Sequence, residues 1–351
     1  MTVAENHTEA RFTADDLAAR IAAVDRIPLA HLPTPLDHCP RFTDALGGPQ
    51  VWLKRDDLTG LAFGGNKTRQ LEFLFADVVA KGADTIVAGA YTQSNWCRQM
   101  TAAACKLGLK ASLVLLHGQK GGVLQGNLLL DHLMGAQVEI VDEDDIQNLG
   151  PRLAEKAEIL AAAGARPYIV APFDLPMLAL SAVGYVNAAV ELDAQCASAG
   201  FEPTHVYTSG ANMTPAGLAL GLKALRPATR LVNVAPITWD EARAVDIARI
   251  ANGCAGRLDL DDLTLAPEDI DNHDGYIGPG YGIVTPEARE ALRLLARTEG
   301  VFLDPVYSSK AMAGLIDHVK TGRLTRDDTV IFLHTGGTPA LFAYAHDVLE
   351  D

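Results

Sequence analysis

The chain has 351 residues, 48% of them hydrophobic, enough for two domains or one large α/β unit with a sizeable core. Its formal net charge of −15 leaves no basic stripe, which excludes nucleic acid and anionic membranes as expected partners. The five cysteines are scattered without metal-ligand spacing, the polar acidic segment 1–11 has no apolar leader core, and no uninterrupted apolar run is long enough to span a bilayer. These features predict a cytoplasmic protein with reduced thiols, no metal and no membrane association.

In chain order, 13–25 reads as an amphipathic helix through Leu17, Ile21 and Val24, and a Pro-rich connector covers 28–40. A strand is expected at 51–54. Strand and helix then alternate: strand 85–88, helix 99–107, strand 111–116, helix 123–134, strand 138–141, helix 153–163 and strand 168–170. Pro172 and Pro176 bracket an expected hinge. Alternation resumes with helix 183–199, strand 205–207, helix 215–225 and strand 231–235. The Asp-rich piece 258–273 reads as a surface excursion, followed by helix 286–299, a buried strand at 330–333 and a last helix starting at 339–344. Such βα alternation predicts parallel sheets covered on both faces, a second sheet among them.

One stretch anchors the chemistry. In Gly64-Gly65-Asn66-Lys67-Thr68-Arg69, two glycines let the backbone approach a bound group, and Asn66 is expected to cap a helix starting at Lys67. A helix N-terminus disfavours an ammonium there, so Lys67 is suited to an amine that spends time deprotonated, as a Schiff-base lysine must.

Four further loops fall at the expected C-terminal ends of strands, where open α/β sheets bind ligands. Thr92-Gln93-Ser94-Asn95-Trp96 offers two N-cap residues. Thr208 to Thr214 places small residues and a hydroxyl at a helix start, a cradle for phosphate, yet matches neither GxGxxG nor a P-loop. Asp304 to Lys310 sets a tyrosine before hydroxyl residues, and His334-Thr335-Gly336-Gly337-Thr338 puts a hydroxyl at the end of the buried strand.

Taken together and in this order, GGNKTRQLEFL, QSNxxRQ, SGANMTPAGLALGL, ARTEGVFLDPVYSSKAM and FLHTGGTPALFAY resemble the D-cysteine desulfhydrase and 1-aminocyclopropane-1-carboxylate deaminase family of pyridoxal 5′-phosphate enzymes. The similarity runs from about Leu32 to the C-terminus. It implies the two-domain tryptophan synthase β-like fold (fold type II). A large cofactor-binding domain would comprise 1–66 and 178–351, a small domain 67–177, and the active site would lie in the cleft between them.

The same resemblance implies roles. Lys67 would form the Schiff base with pyridoxal 5′-phosphate and shuttle the Cα proton, and Ser94 would act near the substrate as base or nucleophile. Asn95 would meet the cofactor's phenolic oxygen, with Asn66 beside it. Ser209, Gly210, Ala211, Asn212, Met213 and Thr214 would hold the phosphate. Gln93, Ser94, Asn95, Trp96, Tyr281 and Tyr307 would surround the substrate; Tyr281 is favoured over Tyr276 as the tyrosine from the Gly-rich segment 275–282.

Thr335 would meet the pyridine nitrogen, where a hydroxyl makes the ring a weaker electron sink than a carboxylate would. That favours Cα deprotonation coupled to loss of a β leaving group. With Ser308 after the tyrosine and Thr335 before Gly-Gly, the chain resembles the desulfhydrase branch rather than the deaminase branch, which has Glu and Leu there.

Departures from the family pattern are Trp96, Asn212-Met213 in place of Gly-Gly, and Ser308 in place of Thr. Trp96 either walls the substrate pocket or points into the core. The expected activity is a lyase acting on a small amino acid, D-cysteine to pyruvate, sulfide and ammonia first. Cysteate sulfo-lyase, aminocyclopropane carboxylate deaminase and, from another class, a silent cofactor- or metabolite-binding protein are the alternatives. A homodimer is implied.

Overall fold

The structure, a computed structural model, describes residues 10–143, 145–239 and 241–350; most of the acidic N-terminal segment, up to residue 9, lies outside them. The elements are α1 (Ala14–Ala22), β1 (Leu36–His38), α2 (Pro40–Leu46), β2 (Gln50–Lys54), α3 (Lys67–Ala80), β3 (Thr85–Tyr91), α4 (Asn95–Lys106), β4 (Lys110–Leu116), α5 (Gly126–Leu133), β5 (Gln137–Val141), α6 (Leu149–Ala162) and β6 (Pro167–Ile169). There follow α7 (Leu175–Ala199), β7 (His205–Ser209), α8 (Met213–Leu225), β8 (Arg230–Val234), α9 (Arg243–Arg257), β9 (Asp271–His273), α10 (Pro286–Glu299), α11 (Ser308–Lys320), β10 (Thr329–Leu333), α12 (Thr338–Ala343) and α13 (Ala345–Leu349).

Two sheets result, in the orders β1-β2-β10-β7-β8-β9 and β5-β4-β3-β6. Every pairing is parallel except β1 with β2. The central strand β10 is a near-continuous apolar run, and its neighbour β7, though it carries Thr208 and Ser209, is buried over the same length, because helices cover both faces. One buried cluster runs from Leu71, Phe73 and Leu113 to Ala216 and Ile250, so helices of both sheets share a core. The chain is α/β with parallel-rich twisted sheets flanked by helices.

The structure bears on three stretches. Within the proline-bracketed segment Asp174 caps α7 through the Met177 N–H, and Pro176 sits in its first turn, where a missing N–H costs nothing. The stretch 258–273 is not a surface excursion: Leu258, Leu260, Leu263 and Leu265 are buried and β9 closes the larger sheet. Their spacing gives no clean period with aspartates between them, which hid them from periodicity. Finally, α7 is long and apolar enough to cross a membrane by length and composition, but 67% of its apolar window is buried inside the fold.

Candidate active site

Loops after β3, β6, β7, β8, β9 and β10 and the start of α3 converge on one cavity, joined by the segment carrying Tyr307, which follows helix α10 and not a strand as expected. The first wall is 64–67. A Cβ on Gly64 would lie 2.2 Å from the Asp57 carbonyl oxygen, and one on Gly65 2.6 Å from Gln99 Nε2, so only glycine fits at either place. Arg98 clamps this turn, donating to the Ala62 and Gly64 carbonyls and to Asn127 Oδ1. Asn66 is helical and makes no cap; its N–H donates to the Thr335 carbonyl and its Nδ2 to Thr214 Oγ1 at 2.9 Å. The expected cap is replaced by Gln99, whose Oε1 accepts from the Thr68 N–H at 2.9 Å.

Lys67 thus projects from a braced helix start into the cavity, its Nζ 5.8 Å from the centre of the Trp96 ring. Among the described residues it has no hydrogen-bond or ion-pair partner. Burial without a counter-charge lowers its pKa to about 8.

The second wall is the turn into α4. Ser94 caps that helix, its hydroxyl accepting from the Cys97 N–H at 3.2 Å, and Asn95 and Trp96 line the cavity beside it. Trp96 does both things expected of it as alternatives, lining the cavity and packing against the apolar core. Gln93 faces the other way: its Oε1 accepts from the Asn127 N–H at 2.9 Å and its Nε2 donates to the Gln125 carbonyl at 3.0 Å. Its side chain therefore holds the start of α5 and does not line the cavity.

The third wall, Ser209 to Met213, opens α8. A Cβ on Gly210 would meet Pro215 Cδ at 2.5 Å. Thr214 is set behind this loop, its hydroxyl accepting from Asn66 Nδ2 and, at 2.8 Å, from Gln70 Nε2. It does not line the cavity, contrary to expectation.

Opposite these stand Tyr281 and Tyr307, hydroxyl to hydroxyl at 2.6 Å, with Tyr281 also stacked on Tyr91. Burial raises the pKa of both phenols, so they stay protonated. Tyr276 donates to Asp317 at 2.6 Å, outside the cavity. The loop carrying Tyr281 is held by buried Lys310, which donates to the Ile277 and Gly280 carbonyls at 2.6 and 3.1 Å. Thr335 closes the cavity from the end of β10.

Ser308 does not join it. Asp304 gathers the N–H groups of Val306, Tyr307 and Ser308 and the Ser308 hydroxyl at 2.6 Å, so that side chain braces α11 instead of reaching toward Thr335.

Sequence reasoning did not reach Trp239, Arg243 and Asp246, which line the cavity beyond the 209–213 loop. The apolar spacing Ile247, Ile250, Ala251, Cys254 could have revealed α9, and with it Arg243 at its start. Chemically, the cavity joins an unpaired amine, a capping hydroxyl, two protonated phenols, a neutral threonine and a helix N-terminus suited to an anion.

The family profile of pyridoxal-phosphate dependent enzymes matches residues 27–336. A D-cysteine desulfhydrase of Klebsiella pneumoniae (strain 342) is 41% identical over 323 residues, 91% of this chain and 96% of that one. Among solved structures, an ACC deaminase homologue superposes with a TM-score of 0.85 at 34% identity, covering 95% of this chain and 98% of the other. The processed form of threonine deaminase isoform 2 from Solanum lycopersicum, at 16% identity and TM-score 0.65 over 100% and 93% of the two chains, shares the fold.

Proposed function

The chain belongs to the pyridoxal-phosphate dependent enzymes, and from that premise we propose that it is a lyase removing a β substituent and the amino group from a small amino acid, D-cysteine first, to give pyruvate, sulfide and ammonia. The observation that carries this is Lys67, an unpaired, half-buried amine with its pKa lowered to about 8, in one cavity with a hydroxyl and two phenols. The residues fit the cofactor: an amine free to bond its aldehyde, and a glycine-bearing turn at a helix N-terminus for its phosphate. Ser209, Gly210, Ala211, Asn212 and Met213 would hold that phosphate, while Asn66, Asn95 and Thr335 would flank the ring. When bound, pyridoxal phosphate supplies a conjugated system that takes up the electron pair left at Cα.

The chain's own residues then divide the proton work. Near neutral pH a useful fraction of Lys67 is the free amine, which accepts the Cα proton. Tyr281 and Tyr307 are kept protonated by burial; one phenol donates to the other, and the second donates to the anionic group opposite, a departing thiolate or the substrate carboxylate. Ser94, fixed by its cap, turns its hydroxyl to the substrate. Thr335 contributes a neutral hydroxyl without a counter-charge, which supports elimination over chemistry that needs a strong electron sink. Trp96 adds an apolar wall that favours a small leaving group.

The reading extends to organisation. The cavity is assigned to the cleft between a small domain, 67–177, and a large one formed by the remainder. A homodimer is supported by apolar side chains left exposed on adjoining α5 and α12 and just before α5, namely Val123, Leu124, Leu133 and Phe342. The test is release of 2-oxo acid and sulfide from D- and L-cysteine, cysteate, serine, chloroalanine and aminocyclopropane carboxylate. D-cysteine is expected to give the highest kcat/KM. A higher value for cysteate or the cyclopropane acid would move the assignment to a sulfo-lyase or a ring-opening deaminase, and no turnover by cofactor-loaded protein would make it a silent binder.

A further inference from the structure

The loop assigned to the phosphate has lost part of what such loops offer. Asn212 and Met213 stand where the family pattern has two glycines, and Asn212 Oδ1 accepts from the Met213 N–H at 2.7 Å, taking that donor from the cradle. Beside it is a cation that no motif announces. The Arg243 side chain is 3% exposed, lines the cavity and carries its Cζ 4.4 Å from the centre of the Trp239 ring. Its Nη1 is used twice, donating to the Ala211 carbonyl at 3.1 Å and to Asp246 Oδ2 at 3.0 Å. Its Nε and Nη2 are buried and have no hydrogen-bond partner among the described residues.

Leaving two donors of a buried guanidinium unmatched is costly, more so than for neutral groups. Asp246 answers one nitrogen only. Nε and Nη2 form the planar fork that suits two oxygens of a phosphate or carboxylate, and the Trp239 ring and the Ala211 carbonyl keep the fork beside the 209–213 loop.

We propose that Arg243 is an anion ligand of this cavity, its Nε and Nη2 donating to the cofactor's phosphate so that a side-chain charge replaces what the Asn212-Met213 turn no longer provides. The proposal rests on the assignment of 209–213 as the phosphate cradle. Arg243 acts here on binding and on the ionisation of the phosphate, apart from the proton transfers at Lys67.

The test compares pyridoxal 5′-phosphate with pyridoxal, which lacks only the phosphate, by equilibrium titration of the apoprotein followed by the visible band. Arg243→Met is expected to weaken the phosphorylated form roughly ten- to hundred-fold, the loss of a charge-assisted pair, and to leave pyridoxal unchanged. Arg243→Lys should recover part of that loss, as a point charge without the fork. In the reconstituted holoprotein the ³¹P resonance should stay flat across neutral pH in the wild type and titrate near the free second pKa of about 6 in Arg243→Met.

Equal weakening of both ligands, with a lowered Tm of the apoprotein, would overturn the proposal and leave Arg243 a brace for Ala211. Unchanged binding of both, with a raised KM for an acidic substrate, would overturn it in favour of a substrate-acid role. If the wild type bound neither ligand, the cradle assignment itself would fall, a result recognisable because it precedes any variant.

Discussion

Lys67 and Arg69 lie two residues apart on the same helix, and the fold treats them oppositely. Arg69 is buried with every nitrogen answered: Nε and Nη2 bind Asp56 at 2.8 and 2.9 Å, and both Nη atoms bind Glu191 at 3.0 Å. Thr34, Lys54 and Tyr185 complete that network, which ties α3 to the turn after β2 and to α7. Its partners raise the Arg69 pKa well above the ordinary value, whereas burial alone lowers that of Lys67 to about 8. Paired, a buried cation is structure. Left unpaired on a braced scaffold, it is a reagent, because its proton is loosely held and its amine is free.

The sharpest way to break that contrast is to exchange effects between the two positions. Lys67→Ala is expected to abolish the visible cofactor band and to cost at least the roughly 10²–10⁴-fold of a lost general base, with no fall in Tm of the apoprotein. Arg69→Met should do the reverse, lowering stability by about 3–5 kcal/mol in denaturant unfolding because Asp56 and Glu191 are left buried without their cation, while surviving folded protein keeps its band. A Lys67 variant that unfolds, or an Arg69 variant that is stable, would end the comparison.

Ser94→Ala comes next. It should keep the band and lose turnover by roughly 10²-fold if its hydroxyl serves the substrate as proposed, with about 1 kcal/mol of stability lost with the α4 cap. Titration sharpens the contrast further. The folded apoprotein holds Lys67 with a pKa of about 8 against 10.5 for an ordinary lysine, so between these values the unfolded chain binds more protons and stability rises with pH. Lys67→Met lacks this term. Its stability advantage over wild-type apoprotein, full below pH 8, should shrink as pH rises through that window. The smallest effect is expected at Gln93→Ala: a modest loss of Tm, from its hydrogen bonds to the segment entering α5, with KM unchanged.

Much of this was legible in the sequence, for stated reasons. Alternating apolar runs and helical spacing define the βα order, the Gly-Gly-Asn-Lys turn marked Lys67, and the family resemblance of the motifs around Ser94, Tyr281, Tyr307 and Thr335 implied that these would meet it. What sequence could not give was the direction of a loop side chain. Gln93, Thr214 and Ser308 sit inside the right motifs yet turn to Asn127, to Asn66 and Gln70, and to Asp304, because each has a closer backbone or side-chain demand to satisfy. Asn66 likewise left its cap for Thr214. Arg243 was invisible for the opposite reason: it belongs to no motif and gains meaning only from the Ala211 carbonyl and Trp239 ring that the fold sets against it.

Whether the unpaired lysine is the one the cofactor bonds can be read directly. The holoprotein should be reduced with borohydride, which fixes the cofactor to its amine, then digested and its peptides read by mass spectrometry. The phosphopyridoxyl group is expected on Lys67 alone. Finding it on Lys54 or Lys310, the buried lysines whose ammonium groups are already engaged, or on no lysine at all, would contradict the account.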